Sequence, residues 1–148
     1  MGLISLAGIF MIVLICAGVV LIPEIFFVLS MQKAIRRCSP ENRTLTPGMA
    51  WLMLIPLFNL VWDFIVVKEV AATLEREFKK RNVPVEPSPG KNIGFAWCIL
   101  SVGALIPLLG ILSVMGAIVC WILYWAKIAG FSGMLGFSAP VAAAPIPS

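Results

Sequence analysis

The sequence predicts an all-α integral membrane protein. It should have three transmembrane helices, one re-entrant or interfacial helical segment and an amphipathic cytoplasmic helical extension; four transmembrane helices are the alternative. Three observations carry this. The 148 residues are 61% hydrophobic and only 12% charged, where a soluble domain carries about 25% charged residues. No charged residue occurs in positions 1–22 or 92–126. Mean hydropathy is +1.04, so the excess apolar surface has to face lipid or protein. The expected organisation is one helical membrane domain over residues 1–130 and an Ala/Pro-rich C-terminal tail over 131–148.

Residues 3–22 are uninterrupted apolar or small side chains, enough as a helix to cross about 30 Å of hydrocarbon. This stretch lacks a basic leader and is too long for a conventional signal peptide. Pro23 and Glu24 follow, then apolar 25–29, so the helix is expected to kink at Pro23 and run on to Met31. Lys33, Arg36 and Arg37 mark the interface. Thr46-Pro47 reads as a helix start, a hydroxyl cap followed by proline at the first helical position. The next apolar stretch, 49–67, is interrupted by Pro56, Asn59 and Asp63 and makes a poor simple span.

From Leu60 the pattern becomes amphipathic. Leu60, Phe64, Val67, Ala71, Leu74 and Phe78 form one helical stripe. Glu75 with Lys79 and Glu77 with Arg81 supply i,i+4 pairs on the other face. Residues 83–91 hold three prolines and a glycine and form a linker. The charge-free 92–126 would make a single helix of about 52 Å, too long for one crossing. Pro107-Leu108-Leu109-Gly110 offers a break, giving a hairpin of 93–106 and 111–128. Trp121, Tyr124, Trp125 and Lys127 read as an interfacial belt. The tail after Gly130 carries no charge, and on its own it should lack order.

Charge placement favours three crossings. With four, Lys33, Arg36, Arg37 and Arg43 would lie opposite the other seven basic residues, a weak positive-inside bias. If 49–67 dips in and returns near Pro56, all 11 basic residues share the cytoplasmic side. Such a dip has to be shielded by protein, because lipid cannot satisfy broken backbone.

The stretch NRTLTPGMAWLMLIPLFNLVWDFIVVKEV, residues 42–70, resembles a group of small bacterial polytopic membrane proteins with no established activity. Their recurring pattern is Pro-Gly, then Trp, then Pro-Leu-Phe-Asn-Leu; CWILYWAKIAGFS, residues 120–132, is similar to their last helix. The resemblance implies a bacterial inner (cytoplasmic) membrane and brings no binding residue with it.

The candidate intramembrane polar residues are Glu24, Asn59 and Asp63. Asn59 and Asp63 share a helix face, and buried ionisable groups often mark ion or proton paths. The competing reading is structural: Asn59 bonds carbonyls freed by Pro56, Asp63 lies near the interface with Lys68, and Glu24 pairs with Lys127 or Arg36. Gly94, Cys98 and Ser101 on one helix, and Ser113, Ala117 and Cys120 on the next, are small faces suited to close packing. Arg36, Arg37, Trp121, Trp125 and Lys127 are the expected interfacial anchors. Cys16, Cys38, Cys98 and Cys120 form no CxxC pair and are read as free thiols. Asn42-Arg43-Thr44 matches a glycosylation pattern by chance on a cytoplasmic loop.

Histidine is absent, which removes haem-His ligation, His-based triads and His-containing zinc sites. No phosphate-binding glycine loop is present. These features lead to the expectation of a non-catalytic accessory subunit of a larger membrane complex, without cofactor or metal. Its partners would be membrane lipids and other membrane protein subunits, not nucleic acid. A small channel or transporter component with a polar site at a broken helix is the alternative.

Overall fold

The structure, a computed structural model, describes residues 5–55, 57–107 and 109–137, without the side chains of Cys16 and Ala17. Every regular element among them is helical. The helix α1 spans Leu6–Arg37, opened by Ser5, whose hydroxyl accepts from Gly8 N at 3.2 Å. Its 32 residues reach about 48 Å. It continues through Pro23, where the missing N–H leaves the Val19 carbonyl without its helical donor, and runs one and a half turns past the expected end at Met31. Between Leu6 and Ile22 most large apolar side chains are exposed; from Phe27 onward one face is buried.

After a 3-10 turn at Pro40–Asn42 the chain reverses into a 3-10 helix, Pro47–Leu54. The expected start at Thr46-Pro47 is in place, but the helix is 3-10 rather than α. Eight residues of 3-10 helix is unusually long. The segment packs against both neighbouring helices, burying Ala50 and Met53. The expected turn residue Pro56 lies outside the described residues. Beside it, Leu57 adopts φ 66°, and Asn59 N bonds the Ile55 carbonyl at 3.0 Å.

The helix α2, Asn59–Lys80, returns antiparallel to the 3-10 arm, and Trp62 Nε1 donates to Met49 O at 3.0 Å across the pair. Val67, Ala71, Leu74 and Phe78 of the anticipated stripe are buried. The helix ends in a Schellman motif: Val83 N bonds Phe78 O, Asn82 N bonds Lys79 O, and Asn82 takes the left-handed conformation.

The helices α3, Lys91–Gly103, and α4, Gly110–Phe137, form an antiparallel hairpin. It turns where Pro107–Gly110 was expected to break the helix; Leu108 lies outside the described residues. Small residues set the seam. A Cβ on Gly94 would lie 2.5 Å from Val67 Cγ1 and 3.0 Å from Tyr124 Cε2, so α2, α3 and α4 meet at that glycine. Gly103 lies against Ser113, and Gly116 against Leu100. The helix α4 runs parallel to α1: Trp125 Nε1 donates to Ser30 Oγ at 2.9 Å, and Arg37 reaches Ser132.

One expectation changes here. Residues 131–137 are not tail but the last turns of α4, held by Phe131 against Phe78 and by buried Ser132 and Leu135. Residues 138–148, with Pro140, Pro145 and Pro147, lie outside the described residues. Trp121 and Trp125 of the expected belt are half-buried and pack toward α1. With Trp97 and Tyr124 they surround the fully buried Phe27, centroids 5.5–6.2 Å away, a geometry in which aromatic edges meet faces.

Among the described residues two helices, α1 and α4, are long and apolar enough to cross a membrane. The 13 residues of α3 reach only about 20 Å.

Gly94→Ala should destabilise the protein. Overpacking costs about 1–3 kcal/mol, against about 1 kcal/mol gained in helix propensity. Val67→Ala in the same chain should restore part of the loss, so a thermal-melt double-mutant cycle in detergent should show coupling. Additive effects would mean that the three helices do not meet at this point.

Candidate functional site

Glu24 sits on α1 directly after Pro23, and Asp63 on α2 one turn after Asn59. The parallel course of α1 and α2 puts the two carboxyls within electrostatic reach of each other. Cys98 and Tyr124 lie within the field of Asp63. Asp63 is 7% exposed, and its Oδ1 has no hydrogen-bond partner among the described residues; neither do Trp121 Nε1 and Tyr124 Oη. Each buried unsatisfied polar atom costs about 1–3 kcal/mol, so atoms of this kind call for a ligand, ion, water or function.

A cavity of about 450 Å³ opens between α1, α3 and α4. Glu24, Trp97, Ser101, Ala117 and Trp121 contribute to its wall. The Ser101 hydroxyl is committed to Trp97 O at 2.9 Å. Among the described residues no group of three or more His, Cys, Asp or Glu could hold a metal ion.

The remaining expected residues fall as follows. Asn59 is the first residue of α2 and is half-buried. Gly94, Cys98, Ser113 and Ala117 are buried in the helix seams, while Ser101 and Cys120 are half-buried. Cys38, Cys98 and Cys120 are free thiols; the Cys16 side chain lies outside the described residues. Lys127 pairs with Glu86, not Glu24. Arg36 is twelve positions from Glu24 on one continuous helix, about 18 Å away, and cannot pair with it. Arg36 is exposed, whereas Arg37 donates to the Ser132 carbonyl and, at 3.3 Å, to its hydroxyl.

The strongest polar centre is one the sequence reading misplaced. Glu77 was expected on the solvated face of α2 but is 1% exposed. Its carboxylate accepts from Ser39 N at 2.8 Å, Ser39 Oγ at 3.1 Å, Asn42 Nδ2 at 2.7 Å and Arg81 Nε at 2.8 Å. Arg81 also donates to Arg37 O at 3.0 Å and Leu135 O at 2.9 Å. Arg43 donates to the Ile35, Arg36 and Cys38 carbonyls. These arginines satisfy the orphan carbonyls at the ends of α1 and α4, where the helix dipoles favour positive charge. The usable sequence signal was Glu77 lying three residues after Leu74 and seven after Val70, inside the apolar stripe.

Burial pushes the Glu77 carboxyl up, but the hydrogen bonds from Asn42, Ser39 and Arg81 outweigh it and hold it below the ordinary 4.5. A depressed folded-state value contributes stability above the unfolded value, and that contribution fades as pH falls below 4.5. Glu77→Ala should therefore cost roughly 3–5 kcal/mol near neutral pH. The gap to wild type in detergent thermal melts should narrow progressively below pH 4.5. A pH-independent gap would remove the ionised carboxylate from this account.

Compared with protein-family models, curated proteins and solved structures, the chain matches none.

Proposed function

We propose that this chain is a non-catalytic, multi-pass protein of a bacterial inner membrane, a component of a small channel or transporter whose Glu24–Asp63 pair is the ion or proton site. The observation that carries the reading is the neighbouring pair of acids with an unpartnered, buried Asp63 oxygen. Ionisable groups inside a membrane are costly and usually functional. The structural reading takes Asp63 as an isolated acid; its electrostatic coupling to Glu24 favours the ion-site reading instead.

In the proposed topology α1, α3 and α4 cross, while Pro47–Leu54 and the start of α2 form a re-entrant hairpin. Two features support it. The 3-10 arm of eight residues rises about 16 Å, and α2 from Asn59 to Lys68 descends about 14 Å, so the hairpin reaches roughly half the hydrocarbon depth. Arg37, Arg43, Lys80 and Arg81 are linked through hydrogen bonds and ion pairs at the end where α1, α2 and α4 finish, consistent with one basic, cytoplasmic face. The short α3 is accommodated by local thinning or tilt of its neighbours.

The accessory-subunit reading keeps one specific support. The Leu6–Ile22 portion of α1 exposes apolar side chains that lipid or a partner helix would have to cover. In that reading the tail docks on another polypeptide.

Topology is testable with single cysteines in a chain whose own cysteines are replaced by serine. Exposed Glu41→Cys, Lys79→Cys and Asn92→Cys should share one labelling side with an impermeant reagent, and Pro107→Cys should report the other. Opposite labelling of Glu41→Cys and Lys79→Cys would establish four crossings.

In proteoliposomes with an imposed potential, wild type should carry proton or alkali-cation flux. Glu24→Gln and Asp63→Asn should each reduce it at least tenfold while melting normally. Absence of flux in wild type, with partners recovered by copurification, would favour the accessory subunit.

A further inference from the structure

We infer that the cavity between α1, α3 and α4 binds a lipophilic organic cation, with Glu24 as its counter-charge and the indoles of Trp97 and Trp121 as its aromatic walls. The inference rests on the preceding reading of Glu24 as part of an intramembrane ion site, and it names the class of ligand that site takes.

Size comes first. About 450 Å³ falls within the range of drug-sized ligand sites, about 300–1,000 Å³, and far exceeds what a bare metal ion fills. Composition comes second. The wall is mostly apolar, including Val20, Ala117 and Ile118, and its polar groups among the described residues are the Glu24 carboxyl, the Ser101 hydroxyl and the indole N–H groups of Trp97 and Trp121. That hydroxyl already donates within α3. A calcium or magnesium ion takes about six or more oxygen ligands, which this wall does not supply, and a sugar or other polyol would leave its own groups unsatisfied. Charge comes third. Among the described residues no basic side chain lines the cavity, so an anion would meet the Glu24 carboxyl with no cation to offset it. A single positive charge spread over alkyl or aryl groups meets all three conditions. The carboxylate balances it, and the aromatic rings in the wall attract it through cation–π contact.

The route is lateral. Val20 and Ile118 line the cavity and are also 62% and 48% exposed on the outside of the bundle, so a ligand dissolved in lipid reaches Glu24 without crossing the basic end.

The full-length protein in zwitterionic-lipid nanodiscs can be titrated with radiolabelled tetraphenylphosphonium by equilibrium dialysis. One saturable site is expected. Neutral triphenylphosphine should fail to compete. Glu24→Gln should weaken binding at least tenfold, and Glu86→Gln, distant from the cavity, should leave it unchanged. Val114→Phe, which narrows the cavity from α4 at a position that is 43% exposed, gives a second measurement if Glu24→Gln melts early; it should also weaken binding. Absence of a saturable site, equal competition by triphenylphosphine, or binding unchanged in both cavity variants would overturn the inference. Proton or alkali-cation flux that persists without phosphonium binding would overturn this inference alone and leave the ion-site reading standing.

Discussion

Glu77 is the constraint on which the rest of the architecture depends. A carboxylate with 1% exposure is tolerated only when charge and hydrogen bonding are both compensated. Here Arg81 supplies the charge, and Ser39 and Asn42 supply donors from the loop after α1. Arg81 then spends its remaining donors on the terminal carbonyls of α1 and α4. One ion pair thus ties three helix ends together, alongside the Arg37–Ser132 hydrogen bonds and the Phe78–Phe131 contact. It also explains why Asn42-Arg43-Thr44 is occupied: Asn42 serves Glu77, Arg43 caps α1, and Thr44 bonds Thr73 and the Glu69 carbonyl.

With the ends fixed, register follows upward along the helices. Fourteen positions above Glu77 on α2 is Asp63, and fourteen above Cys38 on α1 is Glu24. Two parallel helices rising at the same 1.5 Å per residue keep those levels matched, so a clamp at one end sets the two acids at matching heights near the other. Gly94 holds the second axis of this alignment by letting α3 approach Val67 and Tyr124. The Phe27 aromatic cluster fills the level between clamp and acids. The unsatisfied oxygen of Asp63 is then a consequence of rigid packing around it, the condition under which a site can hold a costly polar group ready for a ligand.

Much of the helical framework was legible. The three-and-four spacing from Leu60 to Phe78 located α2 and its buried face, and Pro107–Gly110 located the α3–α4 turn, because both signals are local. Three features were not legible, each for a physical reason. Glu77 looked like a solvated i,i+4 partner because its donors come from residues nearly forty positions earlier. Gly130, Ser132 and Gly133 lack charge and bulk, so the last turns of α4 read as tail; they are held instead by Phe131 and Leu135 and by arginines from α1 and α2. Glu24 looked destined for Lys127, because nothing local reveals that α1 and α2 are parallel and in register. The aromatic residues Trp121 and Trp125 carry the same ambiguity, since an interfacial belt and a core cluster use the same side chains.

The central claim is that the α1–α2 register brings Glu24 and Asp63 together. Cross-linking in the bilayer tests it most directly, using Glu24→Cys with Asp63→Cys in a chain otherwise free of cysteine. A short bifunctional thiol reagent should join this pair in high yield. Glu24→Cys with Lys79→Cys, sixteen positions further along α2 and about 24 Å away, should not react. Failure of the first pair, or equal yield from both, would contradict the register and with it the site.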